Sequence, residues 1–417
     1  MTTNSTQTES TVTTPTASRR IRLVLVLGLL TMLGPFTVDM YLPALPAIAD
    51  DFGAPESSVQ LTLTGTLVGL ALGQMVIGPL SDFYGRRRPL IVGTAIHVGA
   101  SVACYFAPNI AALGAFRTLQ GIGAAATGVI AMAVVRDLYS GKAAAVMISH
   151  LMLVVGVAPI VAPGIGGLLL TTITWHGMFL VLAGLAVVTM TLGVFALPET
   201  LPPSKRIRRG LRPALRAYAG PVRDRHFMIL VLVCGLVRAV PWAYVAGSPF
   251  IMQNQFELEP SVYGLIFAAG GVVLILAART NIWLLRRWSP ERICTGALAA
   301  SVAVGLTFVA LTPFPALGFA AFIVPALILL FTTGLVTPNA PALALSRHGE
   351  TAGTAAAIVG FSQFGAGAVI APIVGILGNS ILAVAATMAT CAALSLLVFT
   401  LGYRSNRESN ATSTPEL

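Results

Sequence analysis

Three charged residues stand inside long apolar stretches of the chain: Asp39, Arg117 and Arg238. A charge placed among apolar residues is costly, so each of them is a functional candidate by default. A carboxylate beside a cation in a low-dielectric cavity can be set to gain and lose a proton near neutral pH. The residue types therefore favour proton binding at Asp39. Arg238 could bind a polar or anionic substrate, or pair with a carboxylate such as Asp39.

The depths of Asp39 and Arg117 in their helices match. Asp39 follows Arg22 by 17 residues. If the helix spans a membrane, this places Asp39 about 25 Å from the inner membrane face at the helical rise of 1.5 Å per residue. Arg117 follows Pro108 by nine residues, which places it about 13 Å below the outer face. An arginine side chain could bridge the remaining distance. The pair favours proton coupling, and a structural ion pair between the two helices is the alternative.

A short basic turn, residues 78–88, separates two apolar runs. It combines the carboxylate of Asp82 with two glycines and three adjacent arginines. Near a helix end, Asp82 can accept hydrogen bonds or pair with an arginine across an interface. The pattern predicts a gate, for which an ordinary basic turn is the alternative. The gating residues would be Gly78, Asp82, Gly85, Arg86 and Arg87.

Small residues recur on one face of several predicted helices. In the fourth helix, polar Arg117 and Gln120 share a face with Gly121, Ala124 and Gly128, as a cavity lining or a helix contact requires. Asp137 ends this helix as a second candidate proton carrier, either buried or solvated. The fifth helix carries a face on which glycine and proline permit close approach and bending, with plain packing as the alternative. That face consists of Gly156, Pro159, Pro163, Gly166 and Gly167.

Composition places most of the chain in a lipid bilayer. Of 417 residues, 56% are hydrophobic and 10% are charged, whereas soluble proteins carry about 25% charged residues. The apolar runs are long enough to span as helices and lack the alternation of barrel strands. We predict an all-α integral membrane protein with twelve transmembrane helices in two six-helix bundles. The runs cover residues 23–48, 60–80, 89–107, 110–135, 145–170, 176–197, 227–252, 261–284, 292–311, 315–342, 352–378 and 380–402.

The polar segments divide these runs six and six. We predict a disordered N-terminal tail, an N-terminal bundle, a basic cytoplasmic connector, a C-terminal bundle and a C-terminal tail. A long basic connector fits a transporter built from two related bundles, and it could also anchor anionic lipid headgroups. These five parts cover residues 1–18, 19–197, 198–226, 227–403 and 404–417.

The distribution of Lys and Arg predicts the orientation. Alternate loops and both tails hold nearly all of them, whereas the opposite loops carry acidic residues such as Asp50 and Glu259. By the positive-inside rule, both termini lie in the cytoplasm. The net charge of +10 thus reflects orientation and not nucleic-acid binding. The four cysteines stand apart, and we find no metal, cofactor or catalytic motif, so we expect no enzyme and no metal site.

Together these residues resemble the twelve-span drug:proton antiporters of the major facilitator superfamily. Asp82 with Gly85-Arg86-Arg87 is similar to the loop motif of that superfamily, and Arg117 with Gln120-Gly121 to its fourth-helix motif. The stretch from Gly156 to Gly167 resembles the fifth-helix motif of antiporters. Three further segments resemble the Bcr/CflA drug-resistance branch: residues 39–46, 136–139 and 337–340. The second half departs from the pattern, because residues 279–287 keep the basic residues but lack the acid and the glycine.

The resemblance implies a major facilitator fold and proton-coupled efflux of small drugs, of the chloramphenicol or bicyclomycin type, across the cytoplasmic membrane. Arg117 would serve proton coupling. The implied partners are drugs, protons and lipids, with the proton gradient in place of a cofactor and a monomer as the working unit. Uptake or export of a metabolite on the same fold is the alternative, and a non-transporting sensor is a weaker one. We expect the substrate cavity to include Asp39, Tyr41, Gln120, Arg238, Trp242 and Gln363.

Overall fold

The computed structural model describes residues 17–206, 216–346, 348 and 351–411. The predicted N-terminal tail, residues 1–18, lies almost wholly outside this range. The middle of the connector and the end of the C-terminal tail also lie outside it. Within it, every regular element is helical, which confirms the predicted fold class. The α-helices are α1 Ala17–Asp39, α2 Leu45–Phe52, α3 Glu56–Tyr84, α4 Arg87–Tyr105, α5 Ile110–Leu138, α6 Gly141–Leu169, α7 Trp175–Ala196, α8 Ala219–Arg223, α9 Arg225–Phe250, α10 Pro260–Leu284, α11 Pro290–Leu311, α12 Gly318–Val336, α13 Asn339–Leu345, α14 Ala352–Ile376 and α15 Ile381–Ala411.

Two of the spans are broken by proline. In the first span, α1 ends at Asp39, and a 3₁₀ turn at Leu42–Ala44 leads into α2. The helix is interrupted because proline cannot donate the backbone hydrogen bond that a continuous helix needs. The sequence predicts this loosening from the two prolines that follow Asp39. The tenth span breaks in the same way at Pro338, between α12 and α13.

One long helix, α4, falls outside the group that could span a membrane by length and composition. In the described chain, eleven helices are long and apolar enough to cross a membrane, and α4 is not among them. Its polar side chains Thr94, His97 and Ser101 are all fully buried. They face neighbouring helices and not lipid, so α4 fills the position of the predicted third span.

Glycines let the helices of the N-terminal half meet at their backbones. Gly69 of α3 lies against the backbone of α5 at Thr118 and Ile122, and Gly121 of α5 lies against that of α3 at Thr66. Neither position has room for a Cβ atom. Because larger residues would separate the helices, the small residues draw α3 and α5 into one tight unit.

Two helix pairs join the halves: α3 with α14, and α6 with α10. We call the end of the bundle that carries Arg86, Arg136 and Arg225 the basic end. The other end carries Asp50 and Glu56 and is called the acidic end. The hydrophobic core nearest the acidic end contains side chains from both halves, so the halves are packed together there.

Candidate functional site

A cavity of about 530 Å³ lies between the halves. Its wall runs from Pro35 and Leu70 in the middle of the bundle to Asp82 and Arg136 at the basic end. Gln74 contributes a polar group on the way. The cavity therefore connects the centre of the molecule with the basic end.

A second cavity, of about 200 Å³, continues from the first and shares Gly34, Pro35, Leu70, Val155 and Phe364 with it. We call it the inner cavity. Helix α1 contributes Asp39 from one half, and α9 contributes Arg238 from the other. The remaining wall is mainly apolar and aromatic, as in most small-molecule sites. Its aromatic members are Trp242, Tyr244, Phe267 and Phe364.

Asp39 and Arg238 are the charged residues of the inner cavity. Asp39 is 8% exposed, and its carboxylate has no hydrogen-bond partner among the described residues. Arg238 is the cation that interacts with it electrostatically, although the two do not form a direct salt bridge within the described chain. A buried carboxylate and a guanidinium thus face the same cavity from opposite halves without closing on each other.

Two more polar atoms of this wall lack partners. The Nε of Arg238 and the hydroxyl of Tyr244 are buried and have no hydrogen bond in the described chain. Tyr244 is held in place by ring stacking on Phe267, with centroids 5.5 Å apart. Buried polar groups are rarely left unsatisfied. The inner cavity therefore offers donors that a ligand or water can satisfy.

Arg117 lies behind this wall, in a buried polar network. Its Nη1 donates to the Thr37 carbonyl oxygen (2.9 Å) and to Gln120 Oε1 (2.6 Å). Its guanidinium carbon lies 4.2 Å from the centre of the Tyr41 ring. The matched depths suggest a direct contact with Asp39, but no such contact forms in the described chain. Arg117 instead binds the carbonyl of Thr37, which lies two residues before Asp39 on α1.

The acidic end is closed by hydrogen bonds between the halves, which we call the outer latch. Gln60 Nε2 donates to the Ala246 carbonyl (2.9 Å) and to Asn379 Oδ1 (2.6 Å). The carboxylate of Glu56 accepts from Asn379 (2.7 Å) and from Asn254 (2.8 Å). Gln60 is fully buried, so this network seals the inner cavity from the acidic end.

The small residues of α6 complete the seal. Gly166 lies against the carbonyl of Met40, just after Asp39, and Gly167 against that of Pro260 in the other half. Pro159 lines the inner cavity. Gly156 meets open space. The predicted face thus serves two contacts at the acidic end and one cavity wall.

At the basic end, Arg86 joins the turn after α3 to the end of α5. It bonds Asp82 (2.5 Å) and makes a two-point contact with Asp137 (2.8 and 3.1 Å). Thr200 also donates to Asp137, at 2.8 Å. Asp137 is therefore in the predicted gating cluster, whereas Asp39 lies in the inner cavity.

Glu199, just after α7, holds the turn that carries Arg86 in place. It accepts from the backbone amides of Arg86 (2.9 Å) and Arg87 (3.2 Å), beside Gly85, whose φ of +88° suits glycine. Burial opposes ionisation of Glu199. Hydrogen bonds from the amides of Arg86, Leu201 and Arg87 outweigh it and hold the pKa of the carboxyl below its usual value. Gly78 has open space around it, and Arg87 donates to the Val194 carbonyl (2.8 Å).

The structure divides the residues expected at the substrate cavity. Asp39, Arg238 and Trp242 line the inner cavity, whereas Tyr41 and Gln120 belong to the network around Arg117. Gln363 is not among the lining residues, and its carbonyl accepts from the Trp242 indole (3.1 Å). Sequence reasoning missed Gln74 and Phe267. Gln74 had a signal, as an isolated polar residue in an apolar run.

Comparison with known proteins decides the family. Residues 27–372 match the Major Facilitator Superfamily profile. The chain belongs to the major facilitator superfamily. It is a multi-pass membrane transporter and not an enzyme.

Two relatives and one solved structure are similar to the chain over most of its length. The transporter is 35% identical over 391 residues to the uncharacterized MFS-type transporter YdgK of Bacillus subtilis, covering 92% of this chain and 96% of that protein. It is 28% identical to a bicyclomycin resistance protein homolog of Haemophilus influenzae, over 90% and 94% of the two chains. Its fold matches the Escherichia coli xylose transporter XylE with a TM-score of 0.72 at 13% identity, over 91% and 97% of the chains.

Proposed function

We propose that this transporter exports small drug-like molecules across the cytoplasmic membrane in exchange for protons. Both termini would lie in the cytoplasm, so that the basic end and the open cavity face the cell interior. The relative named for bicyclomycin resistance supports a drug as substrate.

One observation carries the proposal: Asp39 and Arg238 face one small cavity from opposite halves. A carboxylate in such a place can carry a proton, and its charge state changes how well the cavity binds a ligand. Binding linkage is reciprocal. If a proton on Asp39 weakens drug binding, drug binding must release that proton by the same factor.

The residues then take distinct roles. Asp39 carries the proton, and Arg238 balances its charge from the other half. Arg117 acts on Asp39 through the Thr37 carbonyl, since it fixes the last turn of α1. Asp137 is the next candidate carrier if Asp39 is not the coupling site.

The gate at the basic end would close when the protein faces outward. Asp82 and Gly353 line the same open cavity from opposite halves, so closure brings the turn after α3 toward the start of α14. Asp82→Asn should then slow transport and leave substrate binding intact. The basic residues beside the membrane would also attract anionic lipids.

The test is proton release from detergent-purified protein on addition of chloramphenicol or of any drug found in a growth-inhibition panel. Wild-type protein should release protons near neutral pH, and Asp39→Asn should reduce the release at least about tenfold while binding survives. Arg117→Lys should retain part of the release, because lysine keeps the charge but not the planar contacts.

Two controls sharpen this experiment. Asp50→Asn removes an exposed carboxylate at the acidic end and should release protons as wild type does. Undiminished release from Asp39→Asn would place the coupling site elsewhere. Vesicles of known orientation separate export from uptake: proton-driven accumulation from the acidic-end side would favour the metabolite importer instead.

A further inference from the structure

His97 is a fully buried histidine that the proposed transport cycle does not use. It lies on α4, in a ring of buried polar contacts that links three helices. His97 Nε2 lies 2.8 Å from Thr37 Oγ1, and its Nδ1 lies 3.3 Å from Ser101 Oγ. Gln120 donates to Ser101 (2.7 Å), and Arg117 joins Gln120 to the Thr37 carbonyl.

The hydrogen bonds of the ring decide which nitrogen of His97 carries the proton. The Thr37 hydroxyl donates to the Leu33 carbonyl at 2.6 Å, so toward His97 it can only accept. Nε2 of His97 must therefore be the donor. The Ser101 hydroxyl donates to the His97 carbonyl (2.7 Å) and stays farther from Nδ1. The arrangement fits a neutral imidazole with its proton on Nε2.

We infer that His97 is a positioning residue for Asp39. Its Nε2 proton holds the hydroxyl of Thr37, while Arg117 holds the carbonyl of the same residue. Two hydrogen bonds thus hold Thr37, which lies in the last turn of α1, two positions before Asp39. This inference rests on the proposed role of Asp39 in proton exchange.

Arg117 is the charged group that acts electrostatically on His97. Arg117, on α5, interacts in turn with Tyr41 after α1 and with Cys104 on α4 itself. Helix α7 contributes His176 only at its far end, stacked on Trp175. Because Arg117 already brings one positive charge into the ring, His97 acts through its hydrogen bond and not through a charge.

Two substitutions of similar polarity separate this role from a general structural one. In His97→Gln the side-chain amide reaches the place of Nε2 and can donate to Thr37. In His97→Asn it reaches only the place of Nδ1. The readout is modification of Asp39 by dicyclohexylcarbodiimide, which reacts with protonated carboxyl groups in apolar sites, followed across pH by mass spectrometry.

The midpoint pH of Asp39 modification should stay at the wild-type value in His97→Gln. In His97→Asn it should move by about one unit, a tenfold change in proton affinity. Thr37→Val removes the acceptor and should move the midpoint equally, and adding His97→Asn to it should have no further effect. Thermal unfolding of each variant reports whether the fold is intact.

An unchanged midpoint in a folded His97→Asn protein would overturn the inference, and so would equal shifts in the Asn and Gln variants. The labelling requires no drug and no transport. A transporter whose Asp39 follows this pattern but fails the drug-dependent proton release would therefore lose its proposed function while the role of His97 stands.

Discussion

Asp39 and Arg238 belong to different halves of the molecule, and this governs their energetics. Each charge was removed from water on folding, and their mutual attraction recovers part of the cost only while the halves keep them close. Since no salt bridge closes between them in the described chain, the attraction is partial. A ligand or a proton can therefore replace it.

Substitution of Arg238 should distinguish substrates by charge. Arg238→Ala leaves Asp39 without its counter-charge and removes the unpartnered Nε donor, so binding of neutral and anionic drugs should fall about tenfold more than binding of cationic drugs. Equilibrium binding to purified protein measures this. Arg136→Ala, at an exposed arginine on the wall of the larger cavity, is the matched control. An equal loss for all substrates would assign Arg238 a structural role.

The sequence predicted which charges are buried, but not how they are paired. The depths of Asp39 and Arg117 follow from counting residues along a helix. Their contact depends also on the direction in which each side chain points, and on competitors such as the Thr37 carbonyl. Arg238 stood out as a charge inside an apolar run, yet its neighbour in the other half depends on how the two halves assemble, which the sequence does not show.

At the scale of helices, the outer latch and the open basic end define the state of the protein. The latch joins Gln60 and Glu56 of α3 to the loop before α15 through amide and carboxylate hydrogen bonds. A hydrogen bond between protein groups contributes about 1 kcal/mol net. Several of them, well aligned, suffice to bias an equilibrium between two orientations.

Weakening the latch should open the acidic end. Asn379→Ala removes contacts to Gln60 and Glu56, and the outward-open population should rise about tenfold. Spin labels at Asp50→Cys and Glu259→Cys, on opposite halves, report the separation as a distance distribution. Thr171→Val, whose hydroxyl bonds only within its own segment, should leave the distribution unchanged. An unchanged distribution in Asn379→Ala would show that the latch does not hold this end.

Most helix positions were predictable to within a few residues because apolar runs must match the bilayer, but α15 continues past its predicted end at residue 402 to Ala411. The interruptions within the spans depend on details. Pro43 and Pro46 predicted the break after Asp39. The π-helical turn at Ile251–Gln255 had no such signal. It carries two side-chain amides beyond α9: Gln253 donates to the Pro43 carbonyl in the other half, and Gln255 donates to the Asn379 carbonyl in its own half.

For the whole molecule, the asymmetry between the basic and acidic ends predicts its orientation. A fluorescent protein fused after Tyr403 should fluoresce, and alkaline phosphatase at the same position should be inactive, because the positive-inside rule keeps that end in the cytoplasm. The same reporters inserted after Glu257, at the acidic end, should give the opposite pair of results. Active phosphatase after Tyr403 would reverse the orientation.

The inner cavity holds a single carboxylate among its described lining residues, and this limits how the exchange can use the membrane voltage. If Asp39 carries one proton inward and a neutral drug leaves, one net charge crosses per cycle. A potential of 100 mV then contributes about 2.3 kcal/mol. If the drug is a monovalent cation, the charges cancel, and only the proton concentration difference drives export. The same protein would thus be sensitive to voltage for one class of substrate and insensitive for the other.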